Sequence, residues 1–369
     1  MAQHAGQSGA CERCLRRSWL LGALGGTLDF CARDRGRLIA LLALTDEQLL
    51  AALGGRRRQE LTRNYRRFRA CELPSAAGVQ RVCRHDPRYP RRLCNPAGPQ
   101  MLHVAGTAAR PGQLAAAPVV ALIGSRRASD YGRQVAAALA RGLSASGVTV
   151  TAGLSDGIAA AAHAGALEAS GRTVAVSPGG LGPSTAATGR SLLEHICRAG
   201  CVVAELPCGC GGRVWGEHAA ERIVVGLATV TVLVEAEDRP RELAAARLAG
   251  ERGGVVAAVP GRVTSALSQG SHTLLSEGAA ALVRGAEDVL ELLYRTGAAP
   301  ARIGPPAQAR PRLEPRLQEL LDRVGTGADT PDKLTSEGRD AAEVLLALGE
   351  LELMGALARG AGGRYLPRP

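Results

Sequence analysis

The stretch VVALIGSRRASDYG, residues 119–132, decides the fold prediction. A short apolar, β-branched run that ends in glycine is typical of a strand buried in a parallel sheet. Ligands bind beyond the carboxyl ends of such strands, where glycine admits close approach and hydroxyl and guanidinium groups bind phosphate. The alternative is an ordinary turn with solvated arginines. The stretch therefore predicts an anion site built from Gly124, Ser125, Arg126, Arg127 and Ser129.

The same pattern recurs along the chain. Five further short apolar runs alternate with helical stretches: VTVTAG, TVAVSPGG, CVVAEL, TVTVLVE and VVAAVP. This alternation predicts an α/β fold, a doubly wound parallel sheet of extended Rossmann-like type. A short strand, MLHVAG, is also expected at residues 101–106.

A second glycine loop, TAGLSDGIAAAAH, lies at residues 151–163. Gly153 and Gly157 flank Ser155, and a helix of small residues leads to His163. Two roles are open for His163, a structural hydrogen bond or a ligand contact. The loop is expected to extend the anion site of the first strand end.

Composition shifts divide the chain into four parts. Residues 1–110 are expected to form an N-terminal helical domain with a basic region and a connection, in which Thr45 and Gln48 can cap a helix. Residues 111–296 form the Rossmann-like domain, and 297–312 is a Pro- and Arg-rich linker. Residues 313–369, with three helical patterns and a Gly-tipped hairpin, predict a winged-helix domain.

The positive charge is local. The chain carries a formal net charge of +11, and residues 56–92 alone hold 12 arginines against three carboxylates. Residues 118–296 are neutral and residues 313–369 carry −3. If the basic stretch is helical, Arg63, Arg66 and Arg67 share one face. The stretch is either a solvated helix or a track for a polyanion, since charge runs are often only solvated.

Several classes of protein are disfavoured. No apolar run is long enough for a membrane span and the start lacks a signal-peptide pattern, so a cytoplasmic protein with reduced thiols is expected. Cys11-x-x-Cys14 and Cys208-Gly-Cys210 are not matched pairs, which predicts no metal site. Phosphate-loop, dinucleotide and Ser-His-carboxylate patterns are missing from the sequence, so ATP hydrolysis, NAD binding and a serine nucleophile are disfavoured and no cofactor is expected.

The motifs together resemble the DNA processing protein A family (DprA, also called Smf). IGSRRASDYG is similar to that family's G-[ST]-R-x-x-[ST]-x-Y-G segment, and AGLSDGIAAAAH follows its S-G-L-A-x-G-I-D-x-x-A-H segment. RHDPRYPRRL, MLHVAG, VLVEA, AVPG and GSHTLLSEGA fall in the family's order. The last 57 residues resemble its winged-helix domain.

This resemblance implies a function. Family members bind single-stranded DNA as homodimers and load the RecA recombinase onto it, which serves natural transformation. They are not enzymes, and no membrane is involved. Residue by residue, the resemblance assigns DNA contact to Gly124, Ser125, Arg126, Ser129, Gly153, Gly157, His163 and Arg222; Arg127 and Ser155 join this predicted site from the strand-end argument.

The chain departs from the family pattern beside this site. Where the family has F-P-x-R-N-R, this chain places Glu217, Ala220 and Glu221, and His272 replaces an asparagine. PRE, residues 240–242, replaces the family's S-G-S. Added carboxylates should weaken phosphate binding, and Trp215 is the nearest aromatic that could replace the lost Phe.

Two other functions stay open. Pro178–Gly182 matches the start of the P-G-G-x-G-T-x-x-E motif of phosphoribohydrolase-like enzymes, but Pro183 and Ala186 replace its Thr and its catalytic Glu. A nucleotide-binding protein of that kind is one alternative. An interaction scaffold that has lost DNA binding is the other, because of the substitutions at 217–221.

Overall fold

The fold is taken from a computed structural model. It describes residues 10–70, 73–95, 98–106, 110–182, 190–211, 214–295, 313–325, 327–335, 340–360 and 363–367. The chain divides into two compact units, Met1–Gly304 and Pro305–Pro369. The predicted linker, 297–312, lies outside the described residues.

The first unit begins with five helices: α1 Glu12–Ala23, α2 Gly25–Cys31, α3 Arg35–Ala43, α4 Asp46–Leu53 and α5 Arg58–Arg67. The expected cap is present, because the Thr45 hydroxyl accepts from the Gln48 N–H (3.3 Å) and the Gln48 side chain accepts from the Thr45 N–H (3.0 Å). Leucines of these helices pack with Trp215 and Leu206 in one core cluster. The N-terminal helices therefore share a hydrophobic core with later residues of the same unit.

Among the described residues, one sheet contains nine strands. They are β1 Val79–Cys83, β2 Met101–Ala105, β3 Val119–Ile123, β4 Thr149–Gly153, β5 Thr173–Val176, β6 Cys201–Ala204, β7 Val230–Leu233, β8 Val255–Ala258 and β9 Ala281–Leu282. Their spatial order is β1-β2-β6-β5-β4-β3-β7-β8-β9. β2 runs antiparallel to both of its neighbours, β1 and β6, and every other neighbouring pair of strands is parallel, so the sheet is mostly parallel.

The strand order reverses beside β3. From β3 the chain moves through β4 and β5 to β6, and then returns to the other side of β3 through β7 and β8 to β9. Such a reversal leaves a crevice at the carboxyl ends of the two strands that flank it. β3, the strand within the stretch 119–132, therefore ends at a place where a ligand crevice is expected.

Helices cover both faces of this sheet: α6 Arg110–Ala116, α7 Asp130–Ala145, α8 Ile158–Glu168, α9 Arg190–Ala199, α10 Val214–Leu227, α11 Pro240–Glu251, α12 Ala266–Ser276 and α13 Ala286–Arg295. Val120 and Leu122 of β3 pack in a cluster with residues of α7, α8 and α13. Val119 and Ala121 pack on the opposite face with α10. Burial on both faces explains why the strands are apolar without alternation.

All seven strands predicted from the sequence are present, and two others were missed. β1 was missed because Gln80 and Arg81 interrupt its apolar pattern, as an edge strand with a single neighbour allows. β9 has only two residues. Because β1 and β2 belong to the large sheet, the sheet extends into the segment 1–110 that composition had set apart.

The second unit contains α14 Pro315–Gly325, α15 Pro331–Thr335 and α16 Ala341–Leu353, followed by an antiparallel hairpin of β10 Leu357–Arg359 and β11 Tyr365–Pro367. These elements share a separate apolar core. In the part of the chain that the structure describes, no helix is both long and apolar enough to cross a membrane.

Candidate functional site

A cavity of about 550 Å³ opens at the carboxyl ends of β3 and β4, beside α10 and α11. We call it the strand-end pocket. Six of the residues predicted from sequence line it: Gly124, Ser125, Arg126, Arg127, Gly153 and Ser155. Four others, Ser129, Gly157, His163 and Arg222, do not. The structure thus brings the two glycine loops together at the crevice. The remaining four residues lie outside the lining of the pocket.

The loop after β3 is fixed by backbone contacts. The Ser125 N–H donates to the carbonyl oxygen of Glu235 (2.7 Å), and the Ser125 hydroxyl accepts from the Arg127 N–H (3.1 Å). A Cβ at Gly124 would lie 2.6 Å from the same Glu235 carbonyl oxygen, so no larger residue fits there. Buried Ser125 therefore shapes the loop, while the side chains of Arg126 and Arg127 stay exposed.

Ser129 has a structural role. Its hydroxyl accepts from the Gly132 N–H (3.0 Å) as the N-cap of α7 and donates to a carboxylate oxygen of Glu235 (2.6 Å). Its N–H donates to the other Glu235 oxygen (2.9 Å). Glu235 is buried, and these hydrogen bonds compensate its charge. Sequence reasoning assigned no role to Glu235, although a carboxylate that ends the apolar run VTVLV already suggests a buried, hydrogen-bonded group.

The first turn of α8 meets this loop. The Ile158 N–H donates to the Ser125 carbonyl oxygen (3.1 Å), and no side chain caps the helix. Gly157 has a φ of +73°, and a Cβ there would lie 2.3 Å from the Ser125 carbonyl oxygen. Glycine is therefore required for the close approach of the two loops. The N-terminal end of α8, with its partial positive charge, faces the pocket through Ala159.

His163 is buried behind the pocket. One ring nitrogen lies 2.7 Å from the Thr173 hydroxyl and the other 3.3 Å from the Gly153 carbonyl oxygen. Burial lowers the pKa of His163 to about 4, so the ring is neutral at neutral pH. Of the two roles that the sequence left open, this geometry fits the structural hydrogen bond; a DNA contact would need an exposed ring.

Arg222 is buried as well. Its guanidinium pairs with Glu205, which is also buried, and its carbonyl oxygen accepts from Arg252 (3.3 Å). A phosphate cannot reach a side chain that is 2% exposed without unpacking α10. The direct DNA contact expected for Arg222 is therefore revised to a role in positioning α10.

Trp215 cannot replace the missing Phe as a stacking surface. It is 1% exposed and packs with leucines of the N-terminal helices, and its backbone N–H donates to Asp29 (3.3 Å). The sequence suggested exposure because Trp215 lies two residues before the family position. In α10 those two residues turn the side chain towards the helical region instead.

Carboxylates share the strand-end pocket with its arginines. Glu217, on α10, pairs with Arg126 at 3.1 Å, and Glu237 pairs with Arg239 at 2.5 Å. Glu221 also lines the pocket and lies 3.3 Å from the His218 ring. Three arginines and three glutamates therefore line the cavity. The substitutions noted in the sequence at 217 and 221 lie inside it, as expected for a weakened anion site.

Two other departures from the family pattern concern His272 and residues 240–242. His272 is not a lining residue; its ring nitrogen lies 3.2 Å from the Gly261 carbonyl oxygen. Residues 240–242 form the first turn of α11, and their side chains are outside the described part of the chain. The positions of Pro183 and Ala186, which concern the phosphoribohydrolase-like alternative, are also outside it.

A second groove lies along α5, lined by Arg58, Gln59, Thr62, Arg63, Arg66 and Arg67. All four arginines are exposed. In the described ranges, Arg66 and Arg67 form no ion pair, whereas Arg57 nearby pairs with Glu60 at 3.2 Å. The expected helix and the shared face of its arginines are present, and the outer face of α5 is strongly positive.

Comparison with known proteins identifies relatives. A family model described as DNA recombination-mediator protein A matches residues 80–294. A DprA protein of Mycobacterium tuberculosis is 38% identical over 247 residues, which cover 66% of this chain and 63% of the relative. Protein Smf of Escherichia coli is 34% identical over 255 residues, 66% of each chain. The matches thus span a little under two thirds of these relatives' length.

Two solved structures are similar. DprA from Streptococcus pneumoniae superposes with a TM-score of 0.58 at 26% identity, covering 75% of this chain and 95% of that one. DprA from Helicobacter pylori, described for its single-stranded DNA binding mode, gives 0.51 at 23% identity, with 59% and 96% covered. The second likeness concerns the fold alone.

Proposed function

This chain belongs to the DNA recombination-mediator protein A family, and on that premise we propose that it binds the backbone of single-stranded DNA. The observation that supports this proposal most strongly is the strand-end pocket. Two exposed arginines, a turn fixed by Glu235 and Gly157, and the N-terminal end of α8 converge at the sheet's topological reversal. Phosphate is the anion that this combination of donors suits best.

The proposed contacts belong to exposed groups. Arg126 and Arg127 bind phosphate oxygens through their guanidinium groups, and Gly153 and Ser155 form the second wall. Ser125, Ser129, Gly157, His163 and Arg222 keep the two loops and α10 in place. Because Arg126 already pairs with Glu217, a phosphate has to displace that carboxylate, which lowers the affinity of the pocket.

The arginines of α5 supply the missing attraction. Their contribution is additive because each phosphate contact releases counterions wherever it lies along the strand. Few aromatic side chains are available for stacking, since Phe, Trp and Tyr make up 2% of the chain. We therefore propose backbone binding with little base specificity.

The proposed partners rest on the resemblance to the family. We propose a homodimer in the cytoplasm that loads RecA onto single-stranded DNA entering during natural transformation, and that acts by binding, without catalysis or a cofactor.

The sheet is proposed to be a doubly wound, Rossmann-like one. The second unit is proposed to be a winged helix that contacts protein, because it is acidic and α16 exposes Leu346 and Leu353.

A titration with matched single-stranded and duplex oligonucleotides, at two salt concentrations, tests the proposal. We expect tighter binding to the single strand and a steep loss of affinity with salt. Equal affinity for both forms, or binding to neither, would favour the scaffold that has lost DNA binding. Competition by a nucleoside monophosphate but not by oligonucleotides would favour the nucleotide-binding alternative.

The RecA step needs its own assay. RecA filament formation on a single strand already covered by single-strand binding protein should become faster when this chain is added. An unchanged rate, with DNA binding intact, would separate RecA loading from DNA binding and reject the former.

A further inference from the structure

Four metal-ligating groups meet at the junction of the helical region and the sheet. Cys11 directly precedes α1, Cys14 lies in its first turn, Cys83 ends β1 and His85 follows two residues later. The three sulfur atoms and a ring nitrogen all lie within 4.8 Å of one another. In the described part of the chain, no other group of three or more such residues comes together in this way.

The distances fit one tetrahedral ion. Nδ1 of His85 lies 3.4 Å from the sulfur of Cys11, 3.5 Å from that of Cys14 and 3.9 Å from that of Cys83. With Zn–S near about 2.3 Å and Zn–N near about 2.0 Å, tetrahedral geometry places sulfur and nitrogen about 3.5 Å apart and two sulfurs about 3.8 Å apart. The His85 nitrogen therefore already lies at the zinc-ligand spacing from the sulfurs of Cys11 and Cys14, and a shift of a few tenths of an ångström brings it to that spacing from Cys83.

The surroundings are those of a structural site. Cys14 and Cys83 are buried, Cys11 is half-buried and His85 is exposed. The backbone N–H of Cys11 donates to the Cys83 sulfur (3.4 Å), an outer contact of the kind that orients and stabilises thiolate ligands. Apolar side chains close the inner side, among them Leu15, Phe68 and Met101.

We propose that Cys11, Cys14, Cys83 and His85 bind a structural zinc ion. Three thiolates and one imidazole complete a tetrahedral shell, so no position is left for water or substrate and the site is not catalytic. The sequence predicted no metal site because Cys11-x-x-Cys14 has no second Cys-x-x-Cys pair to match it. The second pair is Cys83-x-His85, and only the end of β1 brings it to the first.

The ion would fix two distant parts of the chain. Cys11 and Cys83 are 72 positions apart, and between them lie the five N-terminal helices. Phe68, the C-cap residue of α5, packs in the same cluster as Cys14 and Leu15. Zinc binding is therefore expected to stabilise the N-terminal helical region, including the position of α5, because metal binding energy here is folding energy.

The test uses the reduced, full-length chain, freed of metal by a chelator and titrated with zinc alone. We expect one zinc per chain by elemental analysis, protection of three thiols from a thiol reagent, and a higher unfolding temperature. Cobalt in place of zinc should give the visible bands of a tetrahedral, thiolate-bound ion. Substoichiometric zinc, or an octahedral cobalt spectrum, would overturn the proposal.

Variants locate the ion. His85→Ala should weaken zinc binding at least about 100-fold, because even outer partners of zinc ligands contribute about 10- to 100-fold. His85→Cys, which restores a fourth ligand, should retain the ion. The exposed His195→Ala and Cys94→Ser are matched controls and should bind as the wild type does. Equal zinc binding by wild type and His85→Ala would reject this site.

Discussion

The strand-end pocket and the outer face of α5 both present arginines, but the charges around them differ. In the pocket, Arg126 pairs with Glu217 and Arg239 with Glu237. On α5, Arg66 and Arg67 face solvent and form no ion pair within the described residues. Three arginines and three glutamates line the pocket, whereas four exposed arginines and, of the described residues, no carboxylate line the groove along α5.

This difference suggests a division of labour in the proposed DNA binding. Attraction over a distance depends on net charge, so it comes from α5. Placement of a phosphate depends on a fixed arrangement of donors, so it comes from the pocket. Each of the following changes affects one region and spares the other.

Neutralising α5 should have the largest effect. A variant in which four arginines are changed together to Gln loses up to four phosphate contacts: Arg58, Arg63, Arg66 and Arg67. The salt slope should fall by up to about 2.8, and the affinity for single strands should fall by up to about 100-fold at physiological salt. Fluorescence anisotropy across a salt series measures both. The matched control changes four exposed, ion-paired arginines elsewhere to Gln: Arg141, Arg247, Arg284 and Arg295. If the control loses as much affinity, net charge alone matters and α5 is not a track.

The shape of the pocket should depend on Gly157. Gly157→Ala forces a Cβ towards the carbonyl oxygens of Ser125 and Arg126, 2.3 and 2.6 Å away, at a φ of +73°. We expect the free energy of unfolding to fall by about 2 kcal/mol, since strained backbone costs about 1–3 kcal/mol, and DNA binding to weaken with an unchanged contribution from α5. Chemical denaturation measures the first effect.

Gly253→Ala is the control for the backbone angle. Gly253 has a φ of +74°, but a Cβ there meets nothing within 4 Å. Its loss of stability should be smaller than that of Gly157→Ala, and its DNA affinity should equal the wild type's. Equal destabilisation by both changes would show that the close approach of the two loops is unimportant.

Acid should destabilise the part of the protein that holds the strand-end pocket, because His163 is buried behind it. The folded-state pKa of His163, about 4, lies below its ordinary value of 6.5 because the ring is buried. The unfolded chain therefore binds a proton that the folded chain excludes, and stability is lost as the pH falls from about 6.5 towards 4.

The His163 contribution can be isolated by comparison with His163→Leu. The free energy of unfolding should fall less steeply with acid in the variant, by up to about 1.4 kcal/mol per pH unit. His103, whose pKa burial lowers to about 3, remains in both proteins and acts in the same direction. Parallel curves for wild type and variant would contradict the buried, neutral state of His163.

The sequence predicted the parallel strands and the location of the pocket, because apolar strands and glycine turns are local patterns. The partners of the side chains depend on contacts distant in sequence. Glu217 meets Arg126 across 91 positions, and Ser129 meets Glu235 across 106. Periodicity in α10 does not show which neighbour each face meets, so the burial of Arg222 and Trp215 was missed.

The cysteine cluster was missed for the same reason. A Cys-x-x-Cys pair is visible in the sequence, but β1 was not predicted, and without that strand Cys83 and His85 had no position relative to α1. The basic face of α5, in contrast, was predictable, since it depends only on charge and on helical spacing within ten residues.

Breaking the ion pair between Arg126 and Glu217 should have the smallest effect on DNA affinity. It is also the most direct test of whether the strand-end pocket binds phosphate and whether its carboxylates weaken that binding. Single-strand affinity is measured at low salt for wild type, Arg126→Ala, Glu217→Gln and the double variant, with Glu287→Gln, an exposed carboxylate on α13, as the charge control. Glu217→Gln should tighten binding by about 2- to 5-fold, the range of exposed ion pairs. Arg126→Ala should then cost more affinity in the Glu217→Gln background than in the wild type, because Arg126 is free for phosphate there. Unchanged or weaker binding by Glu217→Gln, or an equal cost of Arg126→Ala in both backgrounds, would contradict the account and place the DNA elsewhere.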